Sequence, residues 1–365
     1  MKQPSIGIFC DQPSARYEAF CRMASRHFSV SCFFWDIPRQ RWITRAADQV
    51  LEFAILHFFS LSSREGWPSF LKLPAKGIRV VDLYDTAIGQ RQKADHLRSD
   101  LALLSAPEAL SVRDPRIHRA LRTGWIPEPK GGYEFLPDPV ESGRRAIRRE
   151  GKKLRAALVG WVDDLENPQG HTRRLIRHLM EKGMAVTWIP SVFQREALKK
   201  TYEGSSASMV PDIVIPPNKE EYWRVLQSCD FGICPGVHRS ADGRLLNTDL
   251  YLSGCGSSRL ADYCAAGIGA LIQRSLRYLC YYASRNAPWW VVYRDPSDPC
   301  LEGLPAKARQ SPKNSALPLF EEEKISTRLR EFYLNLLRRN PSRPARPPRF
   351  RNLICKILNH QETRI

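Results

Sequence analysis

Residues 257–272 read SSRLADYCAAGIGALI. Ser257 and Ser258 stand where a helix begins, and Ala265, Ala266 and Gly267 end it on small residues, so the pattern predicts a helix over 258–266. Ala270 to Ile272 then reads as a short apolar strand. Immediately upstream, residues 218–235, NKEEYWRVLQSCDFGICP, give an amphipathic helix over 219–228 that feeds a strand at Phe231–Cys234 and stops at Pro235. Downstream, a helix over 278–284 leads to a strand over 289–293. A helix–strand–helix–strand order with short, wholly apolar strands is the signature of a parallel sheet covered on both faces.

The same alternation extends outward. Leu154 to Trp161 (LRAALVGW) is a strand, and a Pro168-Gln169-Gly170 turn opens a helix over 171–182 with Leu175, Ile176 and Leu179 on one face. Gly183 stops that helix, Ala185–Ile189 is the next strand, and Ile213–Ile215 follows. In the first half, Ser5–Cys10, Phe28–Trp35, Phe53–Phe59, Ile78–Leu83 and Leu101–Leu104 are strand-like, with a helix over 15–26. Between Pro127 and Lys153 the composition turns to Pro, Gly and then a basic run, which marks a linker. The expected organisation is an N-terminal Rossmann-like domain over 1–130, a linker over 131–153, and a second Rossmann-like domain over 154–320. A C-terminal helix over 321–338 and a Pro/Arg-rich tail over 339–365 complete it. A chain of 365 residues suits two cores better than one.

Composition narrows the class. Hydrophobic residues make up 43% and aromatics 10%, which excludes a disordered chain over most of the length. Lys and Arg number 56 against 38 Asp and Glu, a formal +18, so the partners to look for are anionic: phosphorylated small molecules, anionic lipid or nucleic acid. The ten cysteines form no CxxC pair and follow no apolar leader, and they read as reduced, buried hydrophobes in a cytoplasmic protein. No apolar run is long enough for a membrane span. His and carboxylates do not cluster at metal-ligand spacing, and neither GxGxxG nor a Walker sequence occurs, so no metal and no dinucleotide or ATP cofactor is expected.

Two hydroxyls at a helix amino end suit an anion, because the free N–H groups and the dipole attract phosphate oxygens and Ser257 and Ser258 add donors. Asp262, one turn inside, can accept from two ribose hydroxyls. The plainer reading stays open: Ser257 as an N-cap and Asp262 as a surface acid.

The segments Cys229-Asp230-Phe231-Gly232-Ile233-Cys234-Pro235 and Arg259-Leu260-Ala261-Asp262-Tyr263-Cys264-Ala265-Ala266-Gly267 resemble the C-terminal, donor-binding domain of GT-B glycosyltransferases of the group 1 family. The detailed match covers about a fifth of the chain. The resemblance implies two doubly wound domains facing each other across a cleft. It also implies that Asp262 stands where a glutamate holds the donor ribose, and that Ser257 and Ser258 face the diphosphate. It further implies a metal-independent, hexosyltransferase-type enzyme of polysaccharide biosynthesis, with a nucleotide-diphosphate sugar as co-substrate rather than a bound cofactor. The chain departs from the family in three places: Gly254 stands where many members carry an earlier glutamate, Gly160-Trp161 replaces Gly-Arg, and Gln169-Gly170 replaces Lys-Gly. The cations that meet the leaving diphosphate therefore come from elsewhere, with Arg173, Arg174, Arg239 and Arg244 as candidates; Gly160, Trp161, His238 and Arg259 are further donor-binding candidates.

On the acceptor side, Asp85 follows the Ile78–Leu83 strand, Asp11 follows the first strand, and His57 lies within the Phe53–Phe59 strand. Open α/β sheets bind ligands at such carboxyl ends. His57 reads more simply as a core histidine, and Asp82 as a residue that orients neighbouring loops. In the tail, Arg338–Arg351 followed by Leu353, Ile354, Ile357 and Leu358 suits weak adsorption to an anionic inner membrane face. The leading expectation is transfer to a cell-surface glycan or lipid-linked acceptor. The alternatives are a catalytically silent GT-B-like protein that binds nucleotide or glycan and, from charge alone, a nucleic-acid binder. No nucleic-acid module accompanies that charge, so no nucleic-acid partner is expected.

Overall fold

The computed structural model describes residues 4–10, 15–36, 41–44, 53–60, 70, 77–83, 108–113, 115–124, 128–139, 153–162, 164, 167, 169–191, 194–195, 210–237, 239, 243, 252, 258–286, 289–310 and 321–339. They fall into two units. Unit 1 comprises residues up to Pro137 together with those from Glu323 onward, and unit 2 runs from Asp138 to Glu322.

Unit 1 runs β1 (Ser5–Cys10), α1 (Ala15–Ser25), β2 (Ser29–Asp36), β3 (Arg41–Thr44), β4 (Ile55–Ser60), β5 (Ile78–Leu83), β6 (Ala109–Val112), α2 (Pro115–Arg122) and β7 (Tyr133–Phe135). Its sheet has the order β3-β2-β1-β4-β5-β6-β7. All pairs are parallel except β2–β3, which is antiparallel. The strand expected over 101–104 lies outside the described residues. Residues 133–135, read from composition as linker, form the edge strand β7 instead: Pro and Gly flank it without interrupting its three residues, and Leu110, Ser111 and Val112 pair with it.

Unit 2 runs β8 (Arg155–Gly160), α3 (His171–Glu181), β9 (Ala185–Pro190), β10 (Asp212–Ile213), α4 (Lys219–Gln227), β11 (Phe231–Cys234), α5 (Ser258–Ala266), β12 (Gly269–Gln273), α6 (Arg277–Asn286), β13 (Val291–Tyr293), a 3₁₀ turn (Pro299–Gly303) and α7 (Leu304–Gln310). All its strands are parallel, in the order β10-β9-β8-β11-β12-β13. The two-residue strand period sorts side chains to opposite faces. Ala157, Ala270 and Ile272 pack with Trp223, Leu226, Leu260, Tyr263 and Leu279 from α4, α5 and α6. Ala156, Leu158 and Leu271 pack on the other side with Leu175, Ile176 and Leu179 of α3 and Leu304 of α7. Helices thus cover both faces, which explains the uninterrupted apolar strands.

The final helix α8 (Glu322–Arg339) follows unit 2 in sequence but belongs to unit 1. Ile325, Leu329, Phe332, Tyr333 and Leu336 are buried in one cluster with Ile6, Ile8, Phe20, Phe28 and Val80. Among the described residues no helix is long and apolar enough to cross a membrane. The basic tail expected beyond 339 lies outside them.

Candidate functional site

In unit 2 the chain leaves β8 toward β9 and β10, then returns to place β11 on the other side of β8. At such a reversal the connections depart in opposite directions and open a crevice beyond the carboxyl ends of the two strands. The β8–β11 pairing covers only Phe231↔Ala156 and Gly232↔Ala157, so the strands part before Gly160 and Cys234. Tyr263 of α5 fills the gap beneath. It is fully buried, and its hydroxyl donates a hydrogen shared between the Ile233 carbonyl at 3.0 Å and the Ala157 carbonyl at 3.3 Å, one on each strand. Its ring lies so close to Gly232 that a β-carbon there would stand 2.2 Å from it. Gly232 is therefore required by packing, and α5 is anchored across the strand reversal.

That anchorage brings part of the expected donor site together. Gly160 ends β8 with φ +76°, a conformation that favours glycine. Its missing side chain leaves room for Arg259 in the first turn of α5, whose Nε is 3.8 Å from the point a β-carbon would occupy. Trp161 follows with half its surface exposed, at 51%. A cation in the first turn of a helix opposes the dipole, an arrangement that an anion between the two relieves. Ser258 is the first residue of α5, as the sequence predicts.

Asp262 lies one turn along, partly buried. Its Oδ2 accepts a hydrogen bond from the Tyr222 hydroxyl of α4, while Oδ1 accepts none among the described residues. Burial raises the Asp262 carboxyl to about 7; the Tyr222 hydrogen bond opposes the shift, the Asp138 carboxylate adds to it, and Lys219 opposes it. Burial and the Asp262 carboxyl push the Tyr222 hydroxyl well above its ordinary value, so it remains a donor. Nothing in the sequence singles Tyr222 out. It lies 40 residues from Asp262, and the packing of α4 against α5 joins them.

The remaining candidates are more scattered. Arg173 lies in the first turn of α3, partly exposed. Beside it, Asp164 Oδ2 accepts from the Thr172 amide at 2.8 Å, so a carboxylate already meets the start of that helix. Arg239 is exposed and donates from Nη1 to the Gly243 carbonyl at 2.9 Å, closing its own loop. His238, Arg244, Ser257, Asp11 and Asp85 lie outside the described residues, as does the side chain of Ser258.

His57 is placed where it cannot meet an acceptor. It is the third residue of β4, between β1 and β5, and has no exposed surface. Its Nδ1 is 2.6 Å from the Tyr333 hydroxyl of α8 and its Nε2 is 2.8 Å from Ser111 Oγ. Ser111 Oγ donates to Asp82 Oδ2 at 2.5 Å, and Asp82 receives Nε and Nη2 of Arg16 at 3.0 and 2.7 Å. Because Ser111 gives its hydrogen to Asp82, it can only accept from His57. The imidazole therefore carries hydrogen on Nε2, and Tyr333 donates to Nδ1. Burial lowers His57 to about 3, the Asp82 carboxylate opposes the shift, and Arg16 adds to it; the ring is neutral. Arg16 further donates to the Leu136 and Pro137 carbonyls at 2.8 and 3.0 Å. The cluster ties α1, β4, β5, β6 and α8 together, and through Arg16 the Asp82 carboxylate also holds the Leu136–Pro137 segment that follows β7. Among the described residues no three His, Cys, Asp or Glu gather as metal ligands.

No protein-family model matches the chain, and no curated protein sequence does. Among solved structures, a sucrose-phosphate synthase (tll1590) from Thermosynechococcus elongatus superposes with a TM-score of 0.63 at 11% identity, over 92% of this chain and 100% of that one. Anabaena Alr3699/HepE in complex with UDP gives 0.55 at 8% identity, over 91% and 99%. The same protein with UDP-glucose gives 0.52 at 8% identity, over 98% and 99%. The chain shares their fold, the GT-B arrangement of two Rossmann-like units in one polypeptide.

Proposed function

We propose that this chain is a glycosyltransferase that takes a sugar from a nucleotide-diphosphate donor held in unit 2, at the carboxyl ends of β8 and β11. One observation carries the reading: α5 is anchored across that strand reversal with Arg259 at its amino end and, one turn in, an Asp262 carboxylate oxygen that accepts no hydrogen bond among the described residues. Asp262 accepts from the donor ribose. Arg259, the α5 amides and the Ser257 and Ser258 hydroxyls meet the diphosphate, with Arg173, Arg239 or Arg244 adding charge. Glycosyl transfer needs this arrangement because negative charge grows on the departing diphosphate while the sugar passes through an oxocarbenium-like state. Trp161 offers an exposed aromatic face to the base or the sugar ring. Asp85, with Asp11 as the other candidate, receives the proton of the acceptor hydroxyl. The acceptor is a cell-surface glycan or lipid-linked sugar at an anionic membrane face. UDP is the first nucleotide to try, since HepE, of the same fold, was solved with UDP and with UDP-glucose.

A second reading, nucleotide binding without turnover, is favoured by one feature of the sequence: Gly254 where many members of the family carry a glutamate. The test is a calorimetric titration of UDP into the wild type and Asp262→Ala, with UDP-glucose hydrolysis measured alongside. A hydrogen bond to a charged group contributes about 1.5–3 kcal/mol, so the variant should bind roughly ten- to a hundredfold more weakly. Unchanged affinity removes the proposed site. Binding that depends on Asp262 with no turnover on any acceptor selects the second reading.

A further inference from the structure

The Tyr222–Asp262 hydrogen bond has a consequence for what unit 2 can recognise. A carboxylate engages a vicinal diol most fully when each oxygen accepts one hydroxyl. Here Oδ2 already accepts one hydrogen from Tyr222, which weakens it as an acceptor for a second, whereas Oδ1 accepts none among the described residues. The occupying group is firmly placed. Asn218 caps α4 by accepting from the Glu221 amide at 2.9 Å, and Trp223 and Leu226 are buried beneath the helix. The Tyr222 ring meets the Trp223 ring edge-on, with centroids 5.2 Å apart. Among the described residues, the charged and titratable groups that act on the pair are Asp138, Lys219 of α4, and Arg259 and Tyr263 of α5.

We propose that Tyr222 is a positioning and specificity-determining residue. By donating to Oδ2 of Asp262 it orients the carboxylate and leaves Oδ1 the stronger acceptor, so the chain reads one ribose hydroxyl of the nucleoside diphosphate more stringently than its neighbour. The inference rests on the reading that Asp262 faces the donor. It is tested on the full chain by titrating UDP, 2′-deoxy-UDP and 3′-deoxy-UDP into the wild type, Tyr222→Phe and Asp262→Ala at pH 8.5, where the carboxyl is ionised. In the wild type, one deoxy analogue should bind within about twofold of UDP and the other roughly tenfold or more weakly. In Tyr222→Phe Oδ2, relieved of the tyrosine hydrogen, accepts the second hydroxyl at full strength, and both analogues should then bind more weakly than UDP. A second readout separates this from a merely structural role. Tyr222 is one of the influences that oppose the rise of the Asp262 carboxyl, so the pH below which UDP affinity falls should move upward in Tyr222→Phe. Any other pattern of the two analogues in the wild type, or a pattern and pH midpoint that Tyr222→Phe does not change, overturns the inference and leaves the donor site standing. Asp262→Ala binding UDP as tightly as the wild type, or a wild type that does not bind UDP, overturns the reading beneath it.

Discussion

Replacing Gly232 by Ala probes the joint on which the proposed donor site depends. The added methyl would stand 2.2 Å from Cγ and Cδ2 of Tyr263 and 2.3 Å from Cδ1, roughly an ångström inside ordinary contact. All three are ring atoms of a fully buried side chain, so no flexible tip can move aside. Overpacking of this kind costs about 1–3 kcal/mol. A ring pushed off β11 also loses its hydrogen to the Ile233 and Ala157 carbonyls, about a further 1 kcal/mol. The sum, about 2–4 kcal/mol, corresponds to a fall in Tm of roughly 5–15 °C for a domain of this size. Urea unfolding followed by tryptophan fluorescence measures it directly. A cycle with Tyr263→Ala isolates the cause, since in that background the methyl enters vacated space and Gly232→Ala should cost less than about 0.5 kcal/mol. A neutral Gly232→Ala in the wild type, or an equal cost in both backgrounds, would refute the claim that this close approach seats α5 over the strand reversal.

Two further outcomes follow from unit 1. His57 has a folded pKa of about 3 against 6.5 when unfolded, so only the unfolded chain takes up its proton as pH falls through that window. Stability should therefore decline between about pH 6.5 and 3 by roughly 3–5 kcal/mol from this group, and His57→Gln should lose that part of the slope in unfolding titrations; an unaltered slope contradicts the assignment. Asp82→Asn leaves Arg16 buried without its carboxylate and should cost about 3–5 kcal/mol by urea unfolding, whereas joint replacement by Arg16→Met and Asp82→Leu should cost less. An equal loss in both would show that the charge pair is not what matters there.

The legible parts of the sequence were those that local chemistry decides. The helix at Ser258–Ala266 emerges with its exact bounds because Gly267, at φ +71°, ends it. The strands at Ser5–Cys10 and Ile78–Leu83 are apolar enough to read alone. β6 and β7 escaped notice for physical reasons. β6 carries Ser111, whose burial is tolerable only because Asp82 and His57, 29 and 54 residues away, bond to it. β7 is three residues long within a Pro- and Gly-rich stretch. Partners at long range also decide the place of His57 and α8: Tyr333 is 276 residues from the histidine it meets. At the candidate site, Gly160 and Arg259 were individually conspicuous, but their juxtaposition depends on the β8–β11 neighbour relation, which no local pattern encodes.

The central claim is that a nucleoside diphosphate lodges where β8 and β11 part, against the amino end of α5. Amide hydrogen exchange of the full chain with and without saturating UDP tests it most directly. The account predicts slowed exchange in the peptides spanning 158–162, 233–237 and 258–263, with little change in unit 1 strands β4 to β6. Protection confined to other segments, or none at a UDP concentration that saturates binding, would contradict it.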